Sequence, residues 1–138
     1  MKQYVLDANA LYRFLMREPG SEVVGKLIRE ARDKTISIGM AIVNWGEVYY
    51  NIAKRDGLKE ASSIMDRVSI LPIELYPADK SLTIAAAKLK LSYGLPYVDC
   101  FAAALAGEKN TLVTSDLKDF KRVPGLKLLP LPDHRHKQ

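Results

Sequence analysis

The chain has 138 residues, of which 48% are hydrophobic and 27% charged, so it fits one domain with one core and is too apolar to be wholly disordered. No apolar stretch is long enough to span a membrane or to form the core of a signal peptide, which predicts a cytoplasmic protein with no membrane contact. Of the formal net charge of +5, +4 lies in residues 121–138, where five Lys or Arg side chains accompany one acid, Asp133; this charge fits either polyanion binding or a solvated tail.

Strand and helix patterns alternate along the chain. In chain order, the apolar positions predict a strand at residues 4–6, helices at 10–15 and 23–31, a strand at 35–38, helices at 43–54 and 61–68, a strand at 70–75, helices at 78–93 and 96–107, and strands at 111–114 and 126–129. We expect Ser21 to cap the second helix and Pro72 to place the third strand near an edge of the sheet or to shorten it.

This alternation predicts the α/β class. About five parallel strands should form a central sheet that helices cover on both faces, which gives three layers. We expect the domain to occupy residues 1–130 and a flexible basic tail to occupy residues 131–138.

Two aspartates follow apolar strands. Asp7 comes directly after the strand at 4–6, and Asp116 follows the strand at 111–114 with only Ser115 between them. An isolated aspartate at such a position most often caps a helix or begins a turn. In open parallel sheets, however, ligands bind outside the carboxyl ends of the strands. Two aspartates at equivalent strand ends therefore indicate a shared site.

Two further acids interrupt apolar helical segments. Asp99 lies in the run 97–106, and Glu47 lies in the run 42–50. Asp99 has an ordinary explanation in the first turn of a helix after Pro96, where the helix dipole favours acids, and Glu47 fits a solvated helix face. A carboxylate in apolar surroundings otherwise needs a cation or hydrogen-bond donors beside it.

Together the four acids indicate a divalent metal site. Carboxylate oxygens without a thiolate or an imidazole are hard ligands, which suit Mg²⁺ or Mn²⁺ and disfavour zinc. Cys100 is interpreted as a small buried apolar residue, and His134 and His136 are expected to be exposed in the tail. The chemistry implied is metal-assisted attack of water on a phosphodiester.

Four motifs that contain these acids stand in order along the chain. They are Val5-Leu6-Asp7-Ala8-Asn9-Ala10-Leu11, Asn44-Trp45-Gly46-Glu47-Val48, the segment from Pro96 to Ala106 around Asp99, and Thr114-Ser115-Asp116-Leu117-Lys118-Asp119-Phe120. In this order and at this spacing they resemble the PIN-domain ribonucleases, and within that family the VapC-type toxins of toxin-antitoxin pairs. The resemblance covers nearly the whole chain.

The resemblance implies a PIN-like fold and a metal-dependent endoribonuclease that uses Mg²⁺ or Mn²⁺. By motif position, it implies that the catalytic residues and metal ligands are Asp7, Glu47, Asp99 and Asp116. It implies that Asn9, Thr114 and Ser115 form hydrogen bonds around this quartet. Asp119 either binds metal or caps or braces the segment presenting Asp116, and we favour bracing. It also implies a homodimer, an RNA substrate and inhibition by a cognate small antitoxin protein.

Two other functions stay open at this point. A small phosphohydrolase of the HAD type also begins with a strand followed by Asp, but that class needs a second Asp where this chain has Asn9. A catalytically silent PIN module that binds RNA or protein is disfavoured by the presence of all four acids. No residue selects transfer RNA over ribosomal or messenger RNA.

Overall fold

The structure, a computed structural model, describes residues 1–132. Its strands are β1 (Lys2–Leu6), β2 (Ile36–Ala41), β3 (Glu74–Tyr76), β4 (Thr111–Thr114) and β5 (Lys127–Pro130). Its helices are α1 (Ala8–Leu15), α2 (Ser21–Arg32), α3 (Ile42–Asp56), α4 (Leu58–Val68), α5 (Lys80–Tyr93), α6 (Tyr97–Ala106) and α7 (Leu117–Phe120). Within the described residues, no helix is both long and apolar enough to cross a membrane.

The strands form one parallel sheet in the order β3-β2-β1-β4-β5. β1 is the central strand because it pairs with β2 along one edge and with β4 along the other. Its side chains alternate between the two faces of the sheet: Leu6 packs in a core with α1 to α4, whereas Val5 packs in a second core with α6. The predicted α/β class and the three-layer arrangement are confirmed.

Some details of the predicted elements are wrong. Ser21 does not cap α2 but is its first helical residue; the capping position is Gly20, whose φ of 97° lies in the left-handed region and which makes no side-chain hydrogen bond. β3 has only three residues and begins two residues after Pro72, because proline cannot donate a hydrogen bond to a neighbouring strand. Its shortness and its edge position both agree with the prediction made from Pro72. α7 is absent from the predicted elements because its four residues are too few to show a period.

The C-terminal end of the described chain packs against the domain. Leu131, which the sequence assigns to the tail, is 3% exposed and lies in the core that contains α1. The buried Arg13 of α1 donates hydrogen bonds from Nη1 to the carbonyl oxygens of Pro19 and Pro132. The chain is therefore held against α1 as far as Pro132. The rest of the tail, with both histidines, lies outside the described residues, and its flexibility stays a prediction.

Candidate metal centre

The carboxyl ends of β1 and β4 are neighbours in the centre of the sheet, and an acid follows each of them. Asp7 comes directly after β1, and Asp116 comes two residues after the end of β4. α3 and α6, which pack against each other, contribute Glu47 and Asp99. All four acids line one groove of about 1200 Å³, called here the acidic groove. The structure thus brings together the four acids that the sequence singled out.

Asp7 is both a helix cap and a residue of the acidic groove. Its Oδ1 accepts a hydrogen bond from the Ala10 amide at 2.8 Å, which satisfies one of the free amides at the start of α1. Burial raises the pKa of Asp7 from 3.8 to about 6, against the lowering effect of hydrogen bonds from the Thr114 hydroxyl and the Ala10 amide. Repulsion from Asp116 and Glu47 adds to the rise. Capping and a place in the site are therefore compatible.

Polar side chains next to the acids hold the loop that follows β4. Thr114 Oγ1 accepts a hydrogen bond from the Asp116 amide at 2.9 Å. Ser115 Oγ donates to Asn9 Oδ1 at 2.5 Å, which joins this loop to the start of α1. The three side chains expected to form hydrogen bonds around the quartet therefore contact the segments that carry Asp7 and Asp116.

Asp99 has the most perturbed carboxyl group of the quartet. It lies in the first turn of α6, which begins after Pro96. Burial, together with repulsion from Asp7, from Glu47 and from the aspartates after β4, raises the pKa of Asp99 from 3.8 to about 7. Burial also raises the pKa of Glu47. Crowded, desolvated carboxyl groups of this kind favour a bound cation or a retained proton.

Asn44 links the two helices that carry Glu47 and Asp99. It is fully buried on α3, and its Nδ2 donates a hydrogen bond to the Val98 carbonyl oxygen of α6 at 2.9 Å. Within residues 1–132, its Oδ1 has no hydrogen-bond partner. Sequence reasoning gave Asn44 no role. The available signal was a polar residue four positions before Val48, on the apolar face of the helix.

Three carboxylates lie close enough to share one ion. One oxygen each of Asp99, Asp116 and Asp119 lies within 4.8 Å of the others, compared with about 4.2 Å between opposite oxygens around Mg²⁺. Burial raises the pKa of Asp116, with repulsion from Asp119 adding to the rise. Asp119 also accepts a hydrogen bond from Arg122 at 2.9 Å, and its amide donates to Asp116 Oδ1 at 3.2 Å. Asp119, for which bracing was the favoured role, therefore also lies in a carboxylate triad with Asp99 and Asp116.

The donor set suits a hard divalent cation. The side chains that converge in the acidic groove offer carboxylate oxygens, and the described residues contain no histidine. Cys100 is fully buried in the core that contains α6, which agrees with its interpretation as a small buried apolar residue. Asp99, Asp116 and Asp119 are the residues that would hold an ion, with Asp7 and Glu47 beside them.

The metal-free protein should lose stability as the pH rises from about 5 to 8. Asp7 and Asp99 have pKa values of about 6 and about 7 in the folded protein, above the ordinary 3.8, so the folded state binds their protons more tightly than the unfolded state does. Their contribution to the stability of the fold is complete below about pH 4, and it is lost as the pH rises through their pKa values in the folded protein. Thermal unfolding in EDTA across this range measures the effect, and Asp99→Asn should flatten the curve. A melting temperature that climbs across the range would contradict the raised pKa values.

The fold is similar to that of solved structures of bacterial proteins. VapBC2 from Rickettsia felis, bound to a promoter DNA fragment, matches with a TM-score of 0.76 and 24% identity over 93% of this chain and 98% of that one. DNA-bound VapBC from Salmonella typhimurium matches with a TM-score of 0.76 and 17% identity over 94% and 98%. VapC20 from Mycobacterium tuberculosis, a sarcin-ricin loop cleaving toxin, matches with a TM-score of 0.62 and 13% identity over 79% and 86%. A comparison with curated protein sequences gives no match.

The sequence pattern of a known domain accounts for most of the chain. The model of the PIN domain matches residues 4–126, a range that contains the acidic quartet and Asp119. The structural neighbours are VapC toxins of VapBC toxin-antitoxin complexes, and they share the parallel sheet that brings the acids together. The chain belongs to the PIN-domain family.

Proposed function

We propose that this protein is a Mg²⁺- or Mn²⁺-dependent endoribonuclease and the toxin of a toxin-antitoxin pair. The observation that carries the proposal is the crowding of Asp7, Glu47, Asp99 and Asp116 in one groove. Their mutual repulsion and burial cost free energy in the metal-free fold, which a divalent cation offsets. PIN domains are typically metal-dependent nucleases, and the oxygen-only donor set favours Mg²⁺ or Mn²⁺.

The residues of the acidic groove have different proposed roles. A bound ion would activate a water molecule and neutralise charge on the scissile phosphate. Asp99, Asp116 and Asp119 would hold it. Asp7 is fixed in position by the hydrogen bond that it accepts from the Ala10 amide. Because burial raises the pKa of Glu47, its carboxylate is suited to accept a proton from the attacking water.

The size of the acidic groove favours a polymer as substrate. Its volume of about 1200 Å³ exceeds the roughly 300–1000 Å³ of typical small-molecule sites. Membership of the PIN family rules out the HAD-type phosphohydrolase, and Asn9, where that class needs its second Asp, is bonded to Ser115. A catalytically silent PIN module remains the alternative, and measurement of RNA cleavage separates it from the enzyme.

The proposed partner is a small antitoxin that inhibits the enzyme in the cytoplasm. VapBC2 from Rickettsia felis and VapBC from Salmonella typhimurium are toxin-antitoxin complexes. A groove lined by four carboxylates is complementary to an Arg or Lys side chain. Such a side chain on a flexible antitoxin segment would compete with the metal for the same oxygens, so inhibition would act at the site itself.

A homodimer is proposed through α5. The only buried residue of this helix is Ala86, whereas Leu91 is 88% exposed and Ile84 is 45% exposed. An apolar helix face left open in this way is typical of a protein interface.

Expression in cells tests the toxin role directly. The wild-type protein should arrest growth, Asp99→Asn should not, and co-expression with the small open reading frame beside the gene should restore growth. The mass of the purified complex by light scattering should report both the dimer and the antitoxin, and sequencing of new RNA 5′ ends should identify the cleaved RNA. A wild-type protein that is harmless and co-purifies with no small partner would end the toxin proposal, even with its RNase activity intact.

A further inference from the structure

Basic side chains border the acidic groove on two sides. Lys54 and Arg55 line it from the C-terminal end of α3, and Lys118 lines it from α7. All three side chains are exposed, and together they are called here the basic rim. α3 follows β2 and α7 follows β4, and β1 lies between these two strands. The two parts of the basic rim therefore reach the groove from opposite sides of the strand that carries Asp7.

Lys54 lies on the same face of α3 as Glu47 but at a distance from it along the helix. Asn51 and Lys54 come four and seven residues after Glu47, which keeps the three side chains on one face. Lys54 is about 10 Å from Glu47 along the helix axis. A cation at that distance is not placed to touch a phosphate held at the acids, but it is placed for a neighbouring phosphate of the same strand.

The charges of the basic rim are available to a ligand. Within residues 1–132, Lys54 and Lys118 form no ion pair, and Arg55 pairs only with its neighbour Asp56, at 3.8 Å. An exposed pair of this kind contributes little to stability. Glu18 also lines the groove near Arg55, so it offsets part of the charge on that side.

A buried cation adds to the positive charge that borders the acids. Arg13 lines the groove and is 4% exposed, and its Nη1 binds two carbonyl oxygens. In the described part of the chain, its Nε has no hydrogen-bond partner, and no carboxylate lies within ion-pair distance of it. An uncompensated guanidinium beside the groove favours an anionic ligand.

Helix electrostatics alone do not explain the arrangement. Cations near the C-terminal end of a helix interact favourably with its dipole, which accounts for Lys54 and Arg55 on α3. Lys118 lies in the single turn of the four-residue α7, and so short a helix has only a weak dipole to favour a cation. A ligand that carries phosphates on both sides of the acids explains all three residues.

We infer that Lys54 and Arg55 on one side and Lys118 on the other bind the phosphates that flank the scissile one. This inference rests on the proposed function. A single RNA strand then crosses the acidic groove between α3 and α7 with the cleaved bond over the acids. Because a phosphate is needed on each side, internal positions of a polynucleotide are preferred over its ends and over mononucleotides. The basic rim thereby determines that cleavage is endonucleolytic.

The salt dependence of RNA binding tests the basic rim. The probe is fluorescein-labelled, single-stranded oligouridine, titrated with Asp99→Asn protein in Mg²⁺ so that the RNA stays intact. The added variants are Lys54→Ala with Arg55→Ala, Lys118→Ala, and the control Lys26→Ala with Arg29→Ala. The control removes one exposed Lys and one exposed Arg from α2, and neither residue lines the groove.

The slope of log K against log salt should become shallower by about 1.4 for the α3 pair and by about 0.7 for Lys118→Ala, and stay unchanged for the control. With Asp99 restored, the rim variants should raise KM for oligouridine several-fold and change kcat less. Melting temperatures equal to that of the parent check the fold, and glutamine replaces alanine in any variant that unfolds.

The outcomes distinguish a failure of the inference from a failure of the proposed function. Slopes equal to that of the control would overturn the basic rim, whether or not the wild-type protein cleaves RNA. A shallower slope for the α3 pair alone, or for Lys118→Ala alone, would overturn the inference that the RNA strand contacts both sides of the groove. Rim-dependent binding by a protein that cleaves no RNA with Mg²⁺ or Mn²⁺ would support the basic rim and overturn the enzyme.

Discussion

Asp99→Asn should lower the rate of RNA cleavage by about 10³-fold or more, while the melting temperature of the metal-free protein stays the same or rises. Asparagine keeps the shape of the side chain but removes one anionic oxygen from the triad, and 10³-fold corresponds to about 4 kcal/mol of transition-state stabilisation. Burial and neighbouring acids raise the pKa of Asp99 to about 7. The substitution therefore removes a carboxylate whose negative charge destabilises the metal-free fold. Lost activity with retained stability identifies a functional residue.

Initial cleavage rates and melting curves measured on the same preparations check this expectation. Asp7→Asn and Asp116→Asn should lose activity similarly and keep their helix caps, because Asn and Asp cap equally well. Glu47→Gln should also lose activity. The control is Asp66→Asn, an exposed acid of α4 that does not line the groove and should leave cleavage intact. Full cleavage by the Asp99→Asn protein would remove the quartet from the mechanism.

Asp119→Asn separates the two roles of that residue. Its amide, rather than its side chain, donates to the Asp116 Oδ1 that caps α7, so the cap survives the substitution. A loss of activity as deep as that of Asp99→Asn would identify Asp119 as a metal ligand. A loss of roughly 10-fold, typical of residues that orient ligands, would identify it as the brace that the sequence suggested.

Mg²⁺ or Mn²⁺ should raise the melting temperature of the isolated protein by roughly 8 °C at a hundredfold excess over the dissociation constant. Mass action gives about 2.7 kcal/mol at that excess, and a domain of this size gains about 3 °C per kcal/mol. The shift should be larger at pH 8 than at pH 5, because protons compete with the metal for Asp7 and Asp99, whose pKa values are raised to about 6 and about 7.

Thermal unfolding in EDTA and then with each ion measures the stabilisation. Asp99→Asn and Asp116→Asn should reduce the shift strongly, whereas Asp66→Asn should keep it. Isothermal titration of the same proteins gives the number of ions. If neither ion changes the melting temperature of protein freed of EDTA and of any partner, the acidic groove is not a metal site.

The sheet and the quartet could be predicted because their signals are periodic or chemically exceptional. Alternating strand and helix patterns indicate a parallel sheet, in which the acids that follow β1 and β4 lie on the same side, and the observed pairing of β1 with β4 makes them neighbours. Asp99 and Glu47 stood out because they interrupt apolar runs. The structure places all four in one groove, although their catalytic and metal-binding roles stay predictions.

Other features depend on contacts that leave no local pattern. Nothing in the neighbouring sequence indicates that Asn44 bonds the Val98 carbonyl, more than 50 residues later. Leu131 looked like the start of a tail because prolines flank it, yet it is buried against α1. The left-handed conformation of Gly20 moved the start of α2 one residue earlier than a serine cap would place it.

The pairing of β1 with β4 also determines when during synthesis the site can exist. Tyr4 pairs with Thr111 and Leu6 with Val113, so β1 keeps one edge open until β4 is made, about 100 residues later. At cellular rates of translation that interval is on the order of ten seconds. Asp7 has no Thr114 hydroxyl and no Asp116 beside it during this time. A nascent chain therefore carries an incomplete acidic centre until β4 has been made, which leaves time for the proposed antitoxin to be ready before the groove is complete.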